Sequence, residues 1–238
     1  MKTVYFVGAG PGDADLITVK GRRLLEQADV LIYAGSLVCP DLVRISPAAV
    51  KRSSHGMHLQ ELVDMMAGAV REGKNVVRLH SGDPSLYGAI VEQVLALQEQ
   101  GIPVKIVPGV SSMFAAAAAL GTQLTLRGVS ETLIVTRPAG TTLQEDHLRE
   151  LSRHGATMVV FLGTGHLEEI VQQVAYPRDT PAAVVYHASW DDEKIACAPL
   201  GKIAETARSL GIEKTALLII GRVVEPRTAG FVHSELYR

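Results

Sequence analysis

Short runs of β-branched and other apolar residues recur along the chain and alternate with amphipathic segments. Nine of these runs predict strands: TVYFV, VLIY, NVVRLH, PVKIV, ETLIVT, TMVVFL, AAVVYH, KIACA and ALLIIG. Short strand patterns that alternate with helical patterns are typical of parallel strands joined by helical crossovers. The pattern therefore predicts an α/β protein.

Segments between these runs have helical periodicity. Two amphipathic helices are predicted from the apolar faces Leu59, Leu62, Val63, Met66 and Val70, ending at Gly73, and Leu86, Ile90, Val94 and Leu97, ending at Gly101. A third, SSMFAAAAALG, has small residues, with Ser111 or Ser112 as its N-cap and Gly121 beyond its end.

The polar interval GTQLTLRGVS separates this third helix from the next predicted strand. We therefore place a domain boundary there, with an N-terminal domain of residues 1–121 and a C-terminal domain of residues 122–238. The strands of the first half end in glycine-rich loops, whereas the second half has fewer such loops. We expect two dissimilar α/β domains rather than a tandem repeat.

Composition excludes several classes of function. The chain has 238 residues, 47% of them hydrophobic, and a formal net charge of -2 with scattered Lys and Arg, so nucleic acid is not an expected partner. The start lacks a signal-peptide pattern and no apolar run could span a bilayer, so we expect a soluble cytoplasmic protein with no membrane partner. Cys39 and Cys197 are far apart, and the 8 histidines lack ligand spacing, so neither a disulfide framework nor a metal site is expected.

The first predicted strand leads into the glycine-rich stretch VGAGPGDADLIT. A dinucleotide-binding loop would read G-x-G-x-x-G, but its last glycine position is Asp13, which directs negative charge toward a diphosphate. Pro11 also removes an amide donor. The second strand ends in Tyr33 and Ala34 instead of the acidic residue that binds ribose hydroxyls. A nicotinamide-dependent oxidoreductase is therefore disfavoured, although it remains an alternative.

Three more turns follow predicted strands, where open α/β sheets bind their ligands. They are YAGSLV, HSGDPSLYGA and VPGVSS. In the second, Ser85 is expected to cap a helix whose first turn contains Tyr87 and Gly88. Each turn by itself is compatible with an ordinary connection between a strand and a helix.

In this order, GAGPGDADLIT, YAGSLV, SGDPSLYGA and VPGVSS resemble the motifs of the tetrapyrrole methylase family. These S-adenosylmethionine-dependent enzymes methylate ring carbons of corrin and sirohaem precursors. PAAVVYHASWDDE and TALLIIGRVVE are similar to the family's second domain, so the resemblance covers nearly the whole chain. YAGSLV and SSHGMHLQE are most similar to the branch that methylates C11 of precorrin-4 or cobalt-precorrin-4 in cobalamin biosynthesis. Methylation at C2/C7, C17 or C20, and a binding module without turnover, are alternatives.

The resemblance implies a homodimer of two-domain chains with a cleft between the domains. It implies that S-adenosylmethionine binds there and leaves as S-adenosylhomocysteine. Carried over by position, the implied cofactor contacts are Pro11, Gly82, Asp83, Leu86, Ser111 and Ser112 in the first domain and Leu162, Ala188, Ala216 and Leu217 in the second.

Methyl transfer from a sulfonium is an in-line displacement that depends mainly on positioning, so a strong base is not required. Asp83 is the first candidate for a polar group near the reaction centre, followed by Tyr33, His58 and Tyr87. Each also has a structural interpretation, as a turn residue, a partly buried tyrosine or a helix N-terminal residue. A precorrin carries many carboxylates, and the arginines available to bind them are Arg44, Arg52, Arg78, Arg127 and Arg137.

Overall fold

The chain divides into two α/β units, one in each half of the sequence. The computed structural model describes residues 2–140 and 143–237. The units are Met1–Ser112 and Met113–Arg238, and each contains a five-stranded sheet. The division falls at the start of the alanine-rich helix, whereas the boundary expected from the sequence, after residue 121, lies beyond the end of that helix.

The described residues form ten strands, eight α-helices and six short turns of 3-10 helix. The strands are β1 (Val4–Gly8), β2 (Val30–Tyr33), β3 (Val50–Ser53), β4 (Val76–His80), β5 (Val104–Val107), β6 (Leu133–Thr136), β7 (Thr157–Val160), β8 (Pro181–Tyr186), β9 (Lys194–Pro199) and β10 (Ala216–Ile220). The α-helices are α1 (Val19–Glu26), α2 (Pro40–Ile45), α3 (Leu59–Arg71), α4 (Val91–Glu99), α5 (Ser112–Ala119), α6 (Leu148–Ser152), α7 (Leu167–Gln173) and α8 (Ile203–Ser209). Single turns of 3-10 helix occur at Ala14–Leu16, Gly35–Leu37, Thr164–His166, Leu200–Lys202, Arg222–Val224 and Glu235–Tyr237.

All nine strands predicted from apolar runs are confirmed, and β3 is an additional strand. Its sequence, VKRS, has no apolar run because three of its four residues are exposed. β3 lies at the edge of its sheet and pairs only with β2 among the described strands. An exposed edge strand buries little apolar surface, so the hydrophobic pattern does not indicate it.

The N-terminal sheet is parallel throughout and has the order β3-β2-β4-β1-β5. All its carboxyl ends therefore lie at one edge. The connection from β1 to β2 passes β4, and the connection from β4 to β5 passes β1, so the connections of these two adjacent central strands run in opposite directions. Ligands of open α/β sheets bind at such a point.

The C-terminal sheet has the order β6-β7-β10-β8-β9. Only β6 and β7 pair in parallel, and the other three pairs are antiparallel. The expectation of parallel strands is therefore confirmed for β6 and β7 and wrong for the other three pairs of this sheet. Its central strands are buried on both faces, as Met158, Val159 and Val160 of β7 illustrate. A continuous apolar run of this kind indicates burial but not strand direction.

The helix predicted from Leu86 to Leu97 begins later, at Val91. Tyr87 has φ 53° and Ala89 has φ 47°, which is the left-handed region that interrupts a right-handed helix. Leu86, Tyr87 and Gly88 therefore lie in a turn, and the expectation that Ser85 caps the helix is wrong. The other two predicted helices are confirmed as α3 and α5.

No helix within the described ranges combines the length and the apolar character needed for a membrane span.

The central strand β4 places two basic side chains in the core of the N-terminal unit. Arg78 and His80 lie on the same face, and each is only 4% exposed. The Arg78 Nε donates to Gln93 Oε1 at 3.3 Å, and His80 stacks on Phe6. Burial lowers the pKa of Arg78 to about 10, and burial together with the Arg78 charge lowers the pKa of His80 to about 3. His80 is therefore neutral in the folded protein.

We predict that His80 makes the folded state sensitive to acid. The folded pKa lies below the ordinary value of 6.5, so the unfolded chain binds a proton that the folded chain does not. The contribution of neutral His80 to the free energy of unfolding is fully present above about pH 6.5. It is lost as the pH falls toward about 3, at up to about 1.4 kcal/mol per pH unit. Urea unfolding of the protein and of His80→Gln, followed by circular dichroism across this range, measures it. The variant should lose less stability on acidification, and equal slopes would show that the prediction is wrong.

Candidate functional site

Three turns meet at the carboxyl ends of β1, β4 and β5 in the N-terminal unit. The backbones of Gly10 and Gly82 form an isolated antiparallel β-bridge. The Gly10 N–H donates to the Gly82 carbonyl at 3.2 Å, and the Gly82 N–H donates to the Gly10 carbonyl at 2.8 Å. The Ala9 N–H donates to the His80 carbonyl at 2.7 Å. These bonds hold the turn after β1 against the turn after β4.

Glycine is required where these backbones approach most closely. A Cβ added to Gly109 would lie 2.2 Å from the Gly82 carbonyl oxygen, and a Cβ added to Gly8 would lie 2.5 Å from the Gly109 Cα. Both positions are blocked by backbone atoms, which cannot rotate away as a flexible side chain does. The three turns therefore pack together because Gly8 and Gly109 have no side chains.

The Asp83 carboxylate joins the turn after β4 to the turn after β5. Its Oδ2 accepts the Gly109 N–H at 2.8 Å, and its Oδ1 accepts the Ser85 N–H at 2.8 Å and the Ser85 hydroxyl. Burial raises the pKa of Asp83, but the hydrogen bonds from the Ser85 hydroxyl, the Gly109 N–H and the Ser85 N–H outweigh it and lower the pKa below its ordinary value. The carboxylate is thus ionised, and it fixes its own loop.

The glycine-rich turn after β1 is not built for a diphosphate. The Asp13 carboxylate accepts the Asp15 N–H at 2.8 Å and caps the turn Ala14–Leu16. The first helix begins only at Val19, where the Thr18 hydroxyl accepts the Gly21 N–H at 3.1 Å. Both helical N-termini near this loop are therefore capped by side chains, one of them an acid, where a dinucleotide loop would offer free amides.

The cofactor residues predicted in the first domain lie around this convergence. Pro11 follows the bridged Gly10, and the Leu86 N–H donates to the Asp83 carbonyl at 3.2 Å. Gly82 has φ 60°, and a Cβ placed there would have Ser111 Cα and Ser112 N as its nearest neighbours, both at 3.8 Å. Ser111 is buried, and Ser112 begins α5. The structure therefore brings the turn after β4 beside Ser111 and Ser112, and a Cβ at Gly82 would make only ordinary van der Waals contacts.

The cofactor residues predicted in the second domain share one end of the C-terminal sheet. Leu162 follows β7 and Ala188 follows β8, while Ala216 and Leu217 begin the antiparallel strand β10. The Thr164 hydroxyl pairs with the backbone of Ala216, at 3.0 Å to its carbonyl and 3.1 Å to its N–H.

This end of the sheet holds several residues with strained backbone. The residues with positive φ here are Leu162 (56°), His187 (46°), Ser189 (70°) and Thr215 (57°). Leu162 is also 62% exposed. Strained non-glycine residues cluster at ligand sites, so these four residues make this end of the sheet a candidate ligand site.

Sequence reasoning missed an aromatic stack at the same end. Tyr186 stacks on His187 with ring centroids 3.8 Å apart, and His187 stacks on Trp190 at 5.1 Å. The His187 Nδ1 lies 2.8 Å from Asp192 Oδ1. The sequence YHASWDD contains the signal, because closely spaced aromatic residues follow directly after a strand.

The four candidates for catalysis occupy different environments. Tyr33 ends β2 and lines a cavity of about 750 Å³. His58 is the exposed residue before α3, and its side chain makes no capping bond. Tyr87 is 41% exposed in the strained turn before α4. Asp83 is hydrogen-bonded within its own loop and to Gly109. Of the four candidates, only Tyr33 lines this cavity.

The five candidate arginines are also separated by the fold. Arg44 lines the same cavity as Tyr33 and pairs with Asp41. Arg52 is exposed on β3, whereas Arg78 is buried in the core. Arg127 pairs with Glu235 at 2.9 Å, and Arg137 is half-buried after β6. Within the described ranges, no group of three or more His, Cys, Asp or Glu is placed to hold a metal ion.

Comparison with known proteins gives consistent matches. The family model for tetrapyrrole (corrin/porphyrin) methylases matches residues 3–204. The chain is 50% identical to a cobalt-precorrin-4 C(11)-methyltransferase of Methanocaldococcus jannaschii, over 99% of this chain and 93% of that protein. The crystal structure of a cobalt precorrin-4 methyltransferase, a cobalamin biosynthetic enzyme, superposes with a TM-score of 0.91 at 44% identity, covering 94% of this chain and 96% of that one. A Thermus thermophilus uroporphyrin-III C-methyltransferase, solved with S-adenosylhomocysteine, superposes with a TM-score of 0.79 at 32% identity, covering 94% of each chain.

We predict that the fold of the N-terminal unit requires glycine at position 109, where the turns after β1, β4 and β5 meet. Gly109→Ala should lower the free energy of unfolding by about 1–3 kcal/mol or more, because the new methyl group overlaps backbone. The control is Gly68→Ala, inside α3, where an added Cβ meets nothing within 4 Å. That variant should gain about 0.5–1 kcal/mol from helix propensity. Urea unfolding followed by circular dichroism compares the two, and a neutral Gly109→Ala would contradict the close approach.

Proposed function

Because the chain belongs to the tetrapyrrole (corrin/porphyrin) methylases, we propose that it transfers the methyl group of S-adenosylmethionine to C11 of precorrin-4 or cobalt-precorrin-4. Full-length similarity to a C11-methyltransferase at 50% identity supports this reaction and its place in cobalamin biosynthesis. The structural observation that carries the proposal is the convergence of three turns at the carboxyl ends of β1, β4 and β5. We propose this convergence as the ligand site, and it lacks the features of a dinucleotide loop.

The residues of this convergence fit S-adenosylmethionine. Its methionine part carries a carboxylate, which backbone N–H groups and serine hydroxyls at a helix N-terminus bind well. Ser111 and Ser112 supply such donors at the start of α5, beside the open position at Gly82. The cofactor carries no phosphate, so Pro11 and the acid at Asp13 are not obstacles. We propose Pro11, Gly82, Asp83, Leu86, Ser111 and Ser112 as the contacts in this unit.

When bound, S-adenosylmethionine would supply an electrophilic methyl group, which the ring carbon would attack in line while the methyl–sulfur bond breaks and S-adenosylhomocysteine leaves. The protein's task is to hold both partners at attack distance and to exclude water. Positioning alone contributes up to about 7–11 kcal/mol to such a reaction. The hydrogen-bonded loops around Gly10, Gly82 and Gly109 provide a rigid platform for this purpose.

Asp83 contributes to this reaction through its loop. Its Oδ1 accepts hydrogen bonds from Ser85 and its Oδ2 accepts one from Gly109, so the carboxylate sets the shape of the turn that we propose for the cofactor. We therefore propose Asp83 as a positioning residue and Tyr33 as the candidate closest to the acceptor, because Tyr33 lines the neighbouring cavity. Contacts of His58 and Tyr87 with the substrate stay predictions.

We also propose Leu162, Ala188, Ala216 and Leu217 as cofactor contacts of the C-terminal unit. Their common position and the strained backbone around them support this assignment. Exposed Leu162 would provide an apolar surface for the adenine. A homodimer and a cytoplasmic location are part of the same proposal, supported by the family resemblance.

We predict that a large side chain at Gly82 blocks the cofactor. Gly82→Trp should abolish binding of S-adenosylhomocysteine in isothermal titration, because the indole fills the open position beside Ser112. The matched control is Gly73→Trp, since Gly73 also has positive φ, 78° against 60° for Gly82, and lies at the opposite edge of the sheet, after α3. Both variants carry similar backbone strain, so only the first should lose binding. Normal titration of Gly82→Trp would show that the loop assignment is wrong.

The reaction itself is tested with purified protein, cobalt-precorrin-4 and S-adenosylmethionine labelled with ¹³C in the methyl group. We expect label on C11, located by its carbon couplings in NMR spectra. Label at C2, C7, C17 or C20 would assign the chain to another ring position. Cofactor that binds without transfer would favour a binding module instead, and both outcomes would contradict the proposed function.

A further inference from the structure

A cavity of about 750 Å³ opens at the carboxyl ends of β2 and β3, within the N-terminal unit. We call it the β2–β3 cavity. Its volume lies within the range of about 300–1,000 Å³ that is usual for small-molecule sites. The residues that line it are Tyr33, Gly35, Ser36, Val38, Pro40, Val43, Arg44, Ser53 and His55.

The β2–β3 cavity lies beside the proposed cofactor loops on the same edge of the sheet. β2 is the neighbour of β4, and the Ala34 N–H donates to the Leu79 carbonyl at 3.0 Å. On its other side, the Ser54 N–H donates to the Tyr33 carbonyl at 2.9 Å. Neighbouring strands are about 4.8 Å apart, so the end of β2 is one strand from the Gly82 turn and two from the Gly10 turn. A molecule in this cavity is therefore close to a methyl donor held by those turns.

The lining suits a molecule that is apolar over its body and anionic at its edge. Val38, Pro40 and Val43 supply apolar surface. Arg44, Ser53 and His55 supply hydrogen-bond donors, and none of the described residues that line the cavity is acidic. A guanidinium binds a carboxylate with two parallel hydrogen bonds, which adds orientation as well as affinity.

The fold selects Arg44 among the five candidate arginines. Of the five, Arg44 is the one that lines the β2–β3 cavity, whereas Arg78 is buried in the core. Arg44 does pair with Asp41, but both side chains are more than half exposed. An exposed ion pair of this kind contributes only about 0–1 kcal/mol, so it does not prevent Arg44 from binding another anion.

We propose that the β2–β3 cavity binds a carboxylate-bearing edge of the tetrapyrrole, with the Arg44 guanidinium as its cationic contact. This inference rests on the proposed function, since it names how the substrate of that reaction is held. The apolar lining contacts the macrocycle, and Ser53 and His55 add donors at its edge. Arg44 thereby orients the ring so that its reactive carbon faces the cofactor turns.

The first test separates substrate binding from cofactor binding. Arg44→Ala should raise the KM for cobalt-precorrin-4 about tenfold or more while the Kd for S-adenosylhomocysteine changes less than about twofold, because one charge-assisted contact is lost. Arg44→Lys should fall between, since it keeps the charge but loses the bidentate geometry. Arg22→Ala is the control: Arg22 pairs with Glu26 on α1 and is not among the lining residues. Its KM should remain that of the unchanged protein.

The second test fills the cavity. Ser36 is exposed and lines it, whereas its neighbour Leu37 is exposed and is not among the lining residues. Ser36→Trp should raise the KM for the tetrapyrrole strongly, and Leu37→Trp should not. Both place an indole on the same surface turn, so a difference between them reports occupancy of the cavity and not a loss of folding.

The outcomes of the two proposals are distinguishable. If the unchanged protein methylates C11 but Arg44→Ala and Ser36→Trp keep its KM, the β2–β3 cavity is not the substrate site and the proposed function stands. If the unchanged protein transfers no methyl group to either precorrin-4 or cobalt-precorrin-4, both proposals fail. A KM rise in Arg44→Ala matched by an equal rise in Arg22→Ala would also overturn the inference, since it would reflect general surface charge.

Discussion

The close packing of three backbone turns at Gly8, Gly82 and Gly109 is the constraint on which the site depends. A Cβ at Gly109 would lie 2.2 Å from a carbonyl oxygen, so the turns after β1, β4 and β5 meet only with glycine there. The Asp83 carboxylate then bonds the second turn to the third through the Gly109 N–H. Because these bonds join three parallel strands at their carboxyl ends, the loops behave as a rigid platform.

This platform explains how one edge of a sheet can serve a two-substrate reaction. The central strands β1 and β4 carry the turns that we propose for the cofactor, and the adjacent β2 leads into the cavity that we propose for the acceptor. The distance between donor and acceptor is then set by strand spacing, which is a stiff feature of the fold. Methyl transfer needs positioning more than acid–base chemistry, and a sheet edge supplies positioning.

The sequence predicted much of this arrangement, and its errors have physical causes. Apolar runs located nine strands, but the charged edge strand β3 gave no signal, and burial on both faces concealed the antiparallel pairs around β10. α4 begins later than predicted because Tyr87 and Ala89 have a left-handed backbone. The spacing of apolar residues cannot reveal that conformation. The ordered turns indicated the loops that we propose for the cofactor. The selection of Arg44 over Arg78 required the fold, since both arginines look alike in sequence and only burial distinguishes them.

A crystal structure of the protein with S-adenosylhomocysteine would show whether the three turns hold the methyl donor. We expect density for the methionine part beside Gly82, with its carboxylate on the amides and hydroxyls of Ser111 and Ser112. We also expect the sulfur to lie toward the end of β2. Density for a ligand that contacts none of the turns after β1, β4 and β5 would show that these turns have no role in holding the methyl donor.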